Sequence, residues 1–215
     1  MPIQVASHHK TGTWPISVGA NGIAAAQFAR CGFDVMNQLG PDKPWYDLVV
    51  TRGGNLLKIG VKASDNGRWR LAESYLVRAA HANSKKPDIP HAIRMWLDIH
   101  GERTIYCLVQ FEGVSLNELP RIYLATPAEI ARRMREAAER TGEPLLHETY
   151  DWTSPDSGFT TIETLPSSWL FSHDRIQELT YPSAVNEIRA ARPIGMRPDS
   201  TPIDGSGLRQ AAMSA

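Results

Sequence analysis

The sequence predicts a mixed α/β fold, a central sheet carrying helices, and three observations lead there. Two β-branched and aromatic runs, Tyr46 to Thr51 and Leu56 to Ala63, flank Arg52-Gly53-Gly54-Asn55, the residue types a tight hairpin requires. Thr104 to Phe111 (TIYCLVQF) is the most strand-like run in the chain, apolar enough for a central buried strand, and Arg121 to Ala125 (RIYLA) follows it. Helix punctuation brackets these strands. A first segment ends at Gly32, and Thr126-Pro127-Ala128-Glu129 opens another with a capping residue, a first-turn proline and a back-bonding glutamate.

Taken in order, residues 1 to 13 read as a flexible N-terminus; His8 and His9 are adjacent, which is poor geometry for one metal. A helix from near Ser17 runs through Ile23, Ala26 and Phe28 to Cys31, and Phe33 to Asn37 forms a short strand. Leu39 to Pro44 is a loop containing Asp42. After the hairpin, SDNGRWRLAES is a polar loop that holds Trp69 between Arg68 and Arg70. Glu73 to Ala82 reads as helix, and Ile89 to His100 as an amphipathic helix with a strand as the alternative. After the helix that opens at Thr126, residues 145–182 form a cap over the core, with a short helix from Ser172. The expected organisation is one domain over 14–182, with a core at about 17–140, and a Pro-, Ser-, Gly- and Ala-rich flexible tail over 183–215.

Composition excludes several classes. The chain has 215 residues, 42% of them hydrophobic and 21% charged, which is enough for one ordinary globular core. No apolar run is long enough to span a bilayer, and the N-terminus has no signal-peptide core, so a cytoplasmic protein without membrane contact is expected. Cys31 and Cys107 are far apart in apolar surroundings and read as reduced thiols. There is no P-loop, dinucleotide fingerprint, G-x-S-x-G elbow or zinc spacing. The net charge is zero, yet from Arg52 to Arg94 nine Lys or Arg face three acids, an excess of six that suits a phosphate-tracking face.

The hairpin carries the chemistry. Closing it symmetrically pairs Thr51 with Leu56, Val49 with Lys58, and Asp47 with Gly60. Lys62 then stands one same-face step further, diagonal to Asp47. A carboxylate and an ammonium flank a residue without a side chain. An edge hairpin with one solvated face is the plain alternative. The phrase YDLVV, a glycine turn and IGVKAS resembles the PD-(D/E)XK nuclease superfamily, in particular its Holliday-junction-resolvase-like and homing-endonuclease-like branches. Those families place an acid or a glutamine two residues before the lysine, where this chain has Gly60.

The resemblance covers roughly residues 17–140 and implies a restriction-endonuclease-like α/β core: a mixed four- to five-stranded sheet flanked by helices, in αβββαβ order. It implies a metal-dependent endonuclease acting on nucleic acid, with DNA the expected partner, Asp47 as metal ligand, Lys62 as catalytic lysine and Mg²⁺ or Mn²⁺ as cofactor. Asn21 stands about where many relatives carry a helix-borne glutamate. Asp65 and Glu73, nearest in sequence, are the other candidate ligands, with the Val61 carbonyl as an addition and Asp42 as understudy to Asp47. Lys58, Arg52, Arg68, Trp69 and Arg70 are candidate nucleic-acid contacts, Trp69 by stacking on a base. A homodimer would let such a protein cut two strands. A nuclease fold that has lost catalysis and binds nucleic acid or a protein partner is the alternative function.

Overall fold

The computed structural model describes residues 13–38, 45–79, 87–101, 103–153 and 158–181. The expected termini, Asp42, the two N-terminal histidines and the end of the helix proposed to reach Ala82 lie outside these residues.

Helix α1 (Thr13–Arg30) starts four residues earlier than the sequence predicts. Pro15 lies in its first turn, where the missing N–H has no intrahelical partner to lose. Gly32, at φ +80°, ends it in left-handed geometry. Strands β1 (Asp34–Asn37), β2 (Leu48–Arg52) and β3 (Asn55–Ser64) follow, then the two-residue β4 (Arg68–Trp69). Helices α2 (Glu73–Ala79) and α3 (Ile89–Asp98) lead to β5 (Thr104–Gln110) and β6 (Arg121–Ala125). For α3, helix prevails over strand because Asp88 accepts from the His91 N–H as N-cap and Pro90 sits in the first turn, where a ladder donor is not needed.

The chain continues through α4 (Pro127–Thr141), β7 (Leu146–His147), a hairpin of β8 (Thr149–Thr153) and β9 (Thr160–Thr164), a 3₁₀ turn at Ser167–Trp169, and α5 (His173–Thr180). The capping box that opens α4 is complete: Thr126 and Glu129 exchange side-chain-to-backbone bonds in both directions. Buried Arg175 of α5 then donates to the same Glu129 carboxylate at 2.6 Å and to the Leu124 carbonyl at 3.1 Å, which ties the C-terminal helix to the sheet.

The central sheet is five-stranded and mixed, in the order β1-β2-β3-β5-β6, with β3 and β5 parallel and the other neighbours antiparallel. One face packs on α1 through Phe28, Leu48, Ile59 and Cys107; the other packs on α2, α3 and α4 through Tyr75, Trp96, Leu108 and Met134. Every residue of β5 is buried, the pattern of a strand covered on both faces. Each fully buried aliphatic side chain of these layers contributes on the order of 2 kcal/mol. The segment after β9 crosses the sheet edge: Leu170 bridges to Tyr123, and Phe171 meets Phe28 edge-on at 5.4 Å. Cys31 and Cys107 are free thiols, the latter pushed up to about 12 by burial. No helix among the described residues is long and apolar enough to cross a membrane.

Candidate active site

The hairpin geometry begins at Gly53 and Gly54, whose φ values of +55° and +79° make a two-residue turn that glycine adopts without strain. That turn sets the register, Thr51 opposite Leu56 and Val49 opposite Lys58, as the symmetric closure requires. One step before Leu48 the ladder continues irregularly into Asp47. Its N–H donates to the Ile59 carbonyl at 2.8 Å, and its Oδ2 accepts from the Val61 N–H, also at 2.8 Å. The carboxylate therefore replaces a backbone carbonyl in the sheet and is held at a fixed place beside Gly60 and Val61. Lys62, the next residue but one after Gly60, shares its face.

Gly60 is crowded. A Cβ built there would lie 3.3 Å from the Trp45 carbonyl oxygen and 3.3 Å from Cε1 of Tyr106, the residue directly opposite it on β5. The Tyr106 ring thus fills the space that an acid at position 60 would occupy. Its hydroxyl meets His100 Nε2 at 3.1 Å, and Trp96 packs edge-on against the imidazole at 4.8 Å. Burial, and then the Lys62 charge, push His100 down from 6.5 to about 4, so the ring is neutral at physiological pH. Tyr106 is raised above its ordinary 10, mostly by burial, with a smaller push from the Asp47 carboxylate.

Beyond Lys62, buried Ser64 receives hydrogen bonds from the Arg68 N–H at 3.0 Å and from Gln110 Nε2 at 3.3 Å, and Gln110 in turn accepts from the Glu112 N–H. The Lys62 carbonyl accepts from the Trp69 indole N–H at 3.1 Å. The lysine's backbone is held on both sides while its side chain remains partly exposed.

The remaining candidate residues divide. Lys58 shares the face of Gly60 and Lys62, with its Nζ 5.5 Å from the Tyr46 ring centroid. Asn21 is on α1, whose C-terminal end is fixed at the hairpin turn by the Arg52 guanidinium, which donates to the Cys31 carbonyl. The helix packs on the sheet face of Leu57, Ile59 and Val61, opposite the face of Gly60 and Lys62. Asn21 Oδ1 is buried with no hydrogen-bond partner among the described residues.

Arg52 itself is five residues from Asp47, roughly 17 Å along the strand, and is turned onto Phe33. Arg68 is exposed opposite His147, and Arg70 and Glu73 pair with each other on the surface at 2.7 Å. Asp65 is exposed past the end of β3. Trp69 corrects the expectation of base stacking: only 2% of it is exposed, in the core beside Ala72 and Leu146, so its ring has no free face. Among the described residues, no three His, Cys, Asp or Glu side chains cluster closely enough to hold a metal ion.

Three residues were not signalled as site residues by the sequence: Tyr106, His100 and Trp45. Tyr106 sits in a uniformly apolar strand, where its hydroxyl goes unnoticed. Only the β3–β5 register brings it over Gly60.

The chain matches no family model and no curated protein. It is similar over 82% of its length, and over 98% of the other chain, to the structure of a bacterial homing endonuclease, I-Ssp6803I, at 16% identity and a TM-score of 0.42.

Proposed function

We propose that the chain is a PD-(D/E)XK-like, metal-dependent endonuclease, acting on phosphodiester bonds of nucleic acid with Asp47 and Lys62 as its working pair. The observation that carries this reading is the Asp47 carboxylate bonded to the Val61 N–H, one residue before Lys62. A carboxylate fixed by the backbone of the lysine's own strand is preorganised relative to that lysine, which is what stabilising a developing charge requires.

The residues suit a divalent cation of the Mg²⁺ or Mn²⁺ kind. Asp47 has a second carboxylate oxygen that takes no hydrogen bond among the described residues. The orphaned, buried Asn21 Oδ1 of α1 is a neutral oxygen in need of a partner and is the second ligand of this reading. Cations of this type are commonly held by one or two carboxylates together with waters and substrate phosphate. When bound, the ion would polarise a phosphoryl oxygen and supply a nucleophilic water. Lys62 directs its ammonium at the same phosphate and offsets the charge that builds there. Lys58 extends the cationic face along the strand, and Arg68 on β4 adds an exposed charge beyond its end.

A second reading, nucleic-acid binding without cleavage, is favoured by one observation: Tyr106 fills the place of a second carboxylate at Gly60. Cleavage of labelled single-stranded, duplex and branched DNA and of RNA, in Mg²⁺ and Mn²⁺, separates the two. The nuclease reading expects metal-dependent cleavage by the wild type and its loss in Lys62→Ala and Asp47→Ala. Binding without cleavage under every condition would establish the second reading instead.

A further inference from the structure

This inference rests on the nucleic-acid reading and names what the same face holds next to the scissile phosphate. A cavity of about 170 Å³ opens beside the site, lined by Trp45, Tyr46, Lys58, His100 and Thr104 among others. Its first wall is Trp45, 58% exposed and two residues ahead of Asp47. The Trp45 carbonyl lies against Gly60, so the indole stands at the edge of the site itself. Its other wall is His100. Nε2 of that ring is taken by the Tyr106 hydroxyl, while Nδ1 is buried with no hydrogen-bond partner among the described residues. With neither nitrogen free at its surface, the imidazole closes the cavity as a flat wall. Lys58, poised over Tyr46, supplies a cation at the same cavity.

An open aromatic face and an ammonium at the mouth of one cavity are groups that hold an unstacked nucleobase and its phosphate. We propose that this cavity receives one unpaired base of the bound strand. The base lies on Trp45, within the cavity that the His100 ring closes, and Lys58 takes the neighbouring phosphate. Because Lys58, Gly60 and Lys62 share one face, with Lys58 and Lys62 roughly 13 Å apart along the strand, a base held here sets which phosphate lies at Lys62. The substrate class is therefore nucleic acid with an unpaired nucleotide (a bulge, a junction or a single strand) rather than a continuous duplex.

The test is binding of the full chain in EDTA, followed by fluorescence anisotropy, to labelled duplexes that are fully paired, carry a one-base bulge, or carry the same bulge as an abasic site. DNA and RNA versions distinguish the sugar, and a base preference in either supports the proposal. The wild type should bind the bulge about tenfold more tightly than the abasic bulge, the contribution of one stacked base. Trp45→Ala should bring that ratio close to one; Trp45→Phe should keep most of it. Equal binding of bulge and abasic bulge by the wild type, equal weakening of both by Trp45→Ala, or no binding of any strand would overturn the proposal. Cleavage without base preference would remove this inference alone. Base preference without cleavage would leave it standing and remove the catalytic reading.

Discussion

Asp47 Oδ2 and the Val61 N–H are joined at 2.8 Å, a side-chain bond occupying a place in the sheet ladder. This bond makes separable demands on the residue. Asp47→Ala leaves a partly buried amide unpaired and should cost about 1–2 kcal/mol, whereas Asp47→Asn keeps the acceptor and should cost less. For a domain of this size, that is a fall of several degrees in Tm for alanine. Both variants should lose metal-dependent cleavage, so comparing Tm with activity separates the structural from the chemical role.

Gly60 is kept small by Tyr106 and Trp45. Gly60→Ala gains about 0.4–1 kcal/mol from restricting the unfolded chain, but inserts a methyl at 3.3 Å from a backbone oxygen and a ring carbon. Overpacking of this kind costs about 1–3 kcal/mol, so a net loss is expected. Gly60→Glu should lose more. In a Tyr106→Leu background the penalty of Gly60→Ala should shrink, and denaturant midpoints of the double-mutant cycle measure the coupling.

His100 is held neutral. Its pKa is lowered in the folded state to about 4, by burial and by Lys62, so the unfolded chain binds the proton more readily. The resulting stability is complete above pH 6.5 and is lost as the pH falls toward about 4. Thermal unfolding followed from pH 7.5 to 4.5 should show this slope in wild type and a flatter one in His100→Gln.

Glu148 works at lower pH. Burial alone would raise its pKa, but hydrogen bonds from Arg121 at 2.6 Å and Tyr123 at 2.7 Å prevail and hold it below its ordinary 4.5. Its stabilisation is therefore present above that value and lost as the pH falls through the lowered one. Glu148→Gln should destabilise at neutral pH, on the order of 2 kcal/mol because the carboxylate is buried while Arg121 is partly exposed. The difference between variant and wild type should narrow on acidification, as read by urea unfolding at pH 7 and pH 3.5.

Much of the fold was legible in the sequence because its signals are local. The hairpin register follows from two glycines between alternating strands, β5 from an unbroken apolar run, α4 from its capping box and α5 from Ser172. The site was legible only in part. Asp47 and Lys62 are set by that same register, but Tyr106 reaches Gly60 only through the parallel β3–β5 pairing, a long-range contact with no local signature. Trp69 misleads for the opposite reason: two flanking arginines give it a surface setting, while its indole finds a buried acceptor in the Lys62 carbonyl. In the β8–β9 pair, β8 does alternate, with Tyr150 and Trp152 half-buried between exposed polar residues, but its five residues are short, and β9 is exposed nearly throughout, Ile162 included, so it lacks the alternation that marks a half-buried strand.

Mn²⁺ binding to the chain without nucleic acid, read from the loss of the free-ion electron paramagnetic resonance signal, decides whether Asp47 holds a metal ion. One site is expected in wild type, abolished in Asp47→Asn, weakened in Asn21→Ala and retained in Lys62→Ala. Binding that is unchanged in Asp47→Asn, or absent from the wild type, would contradict that role for Asp47.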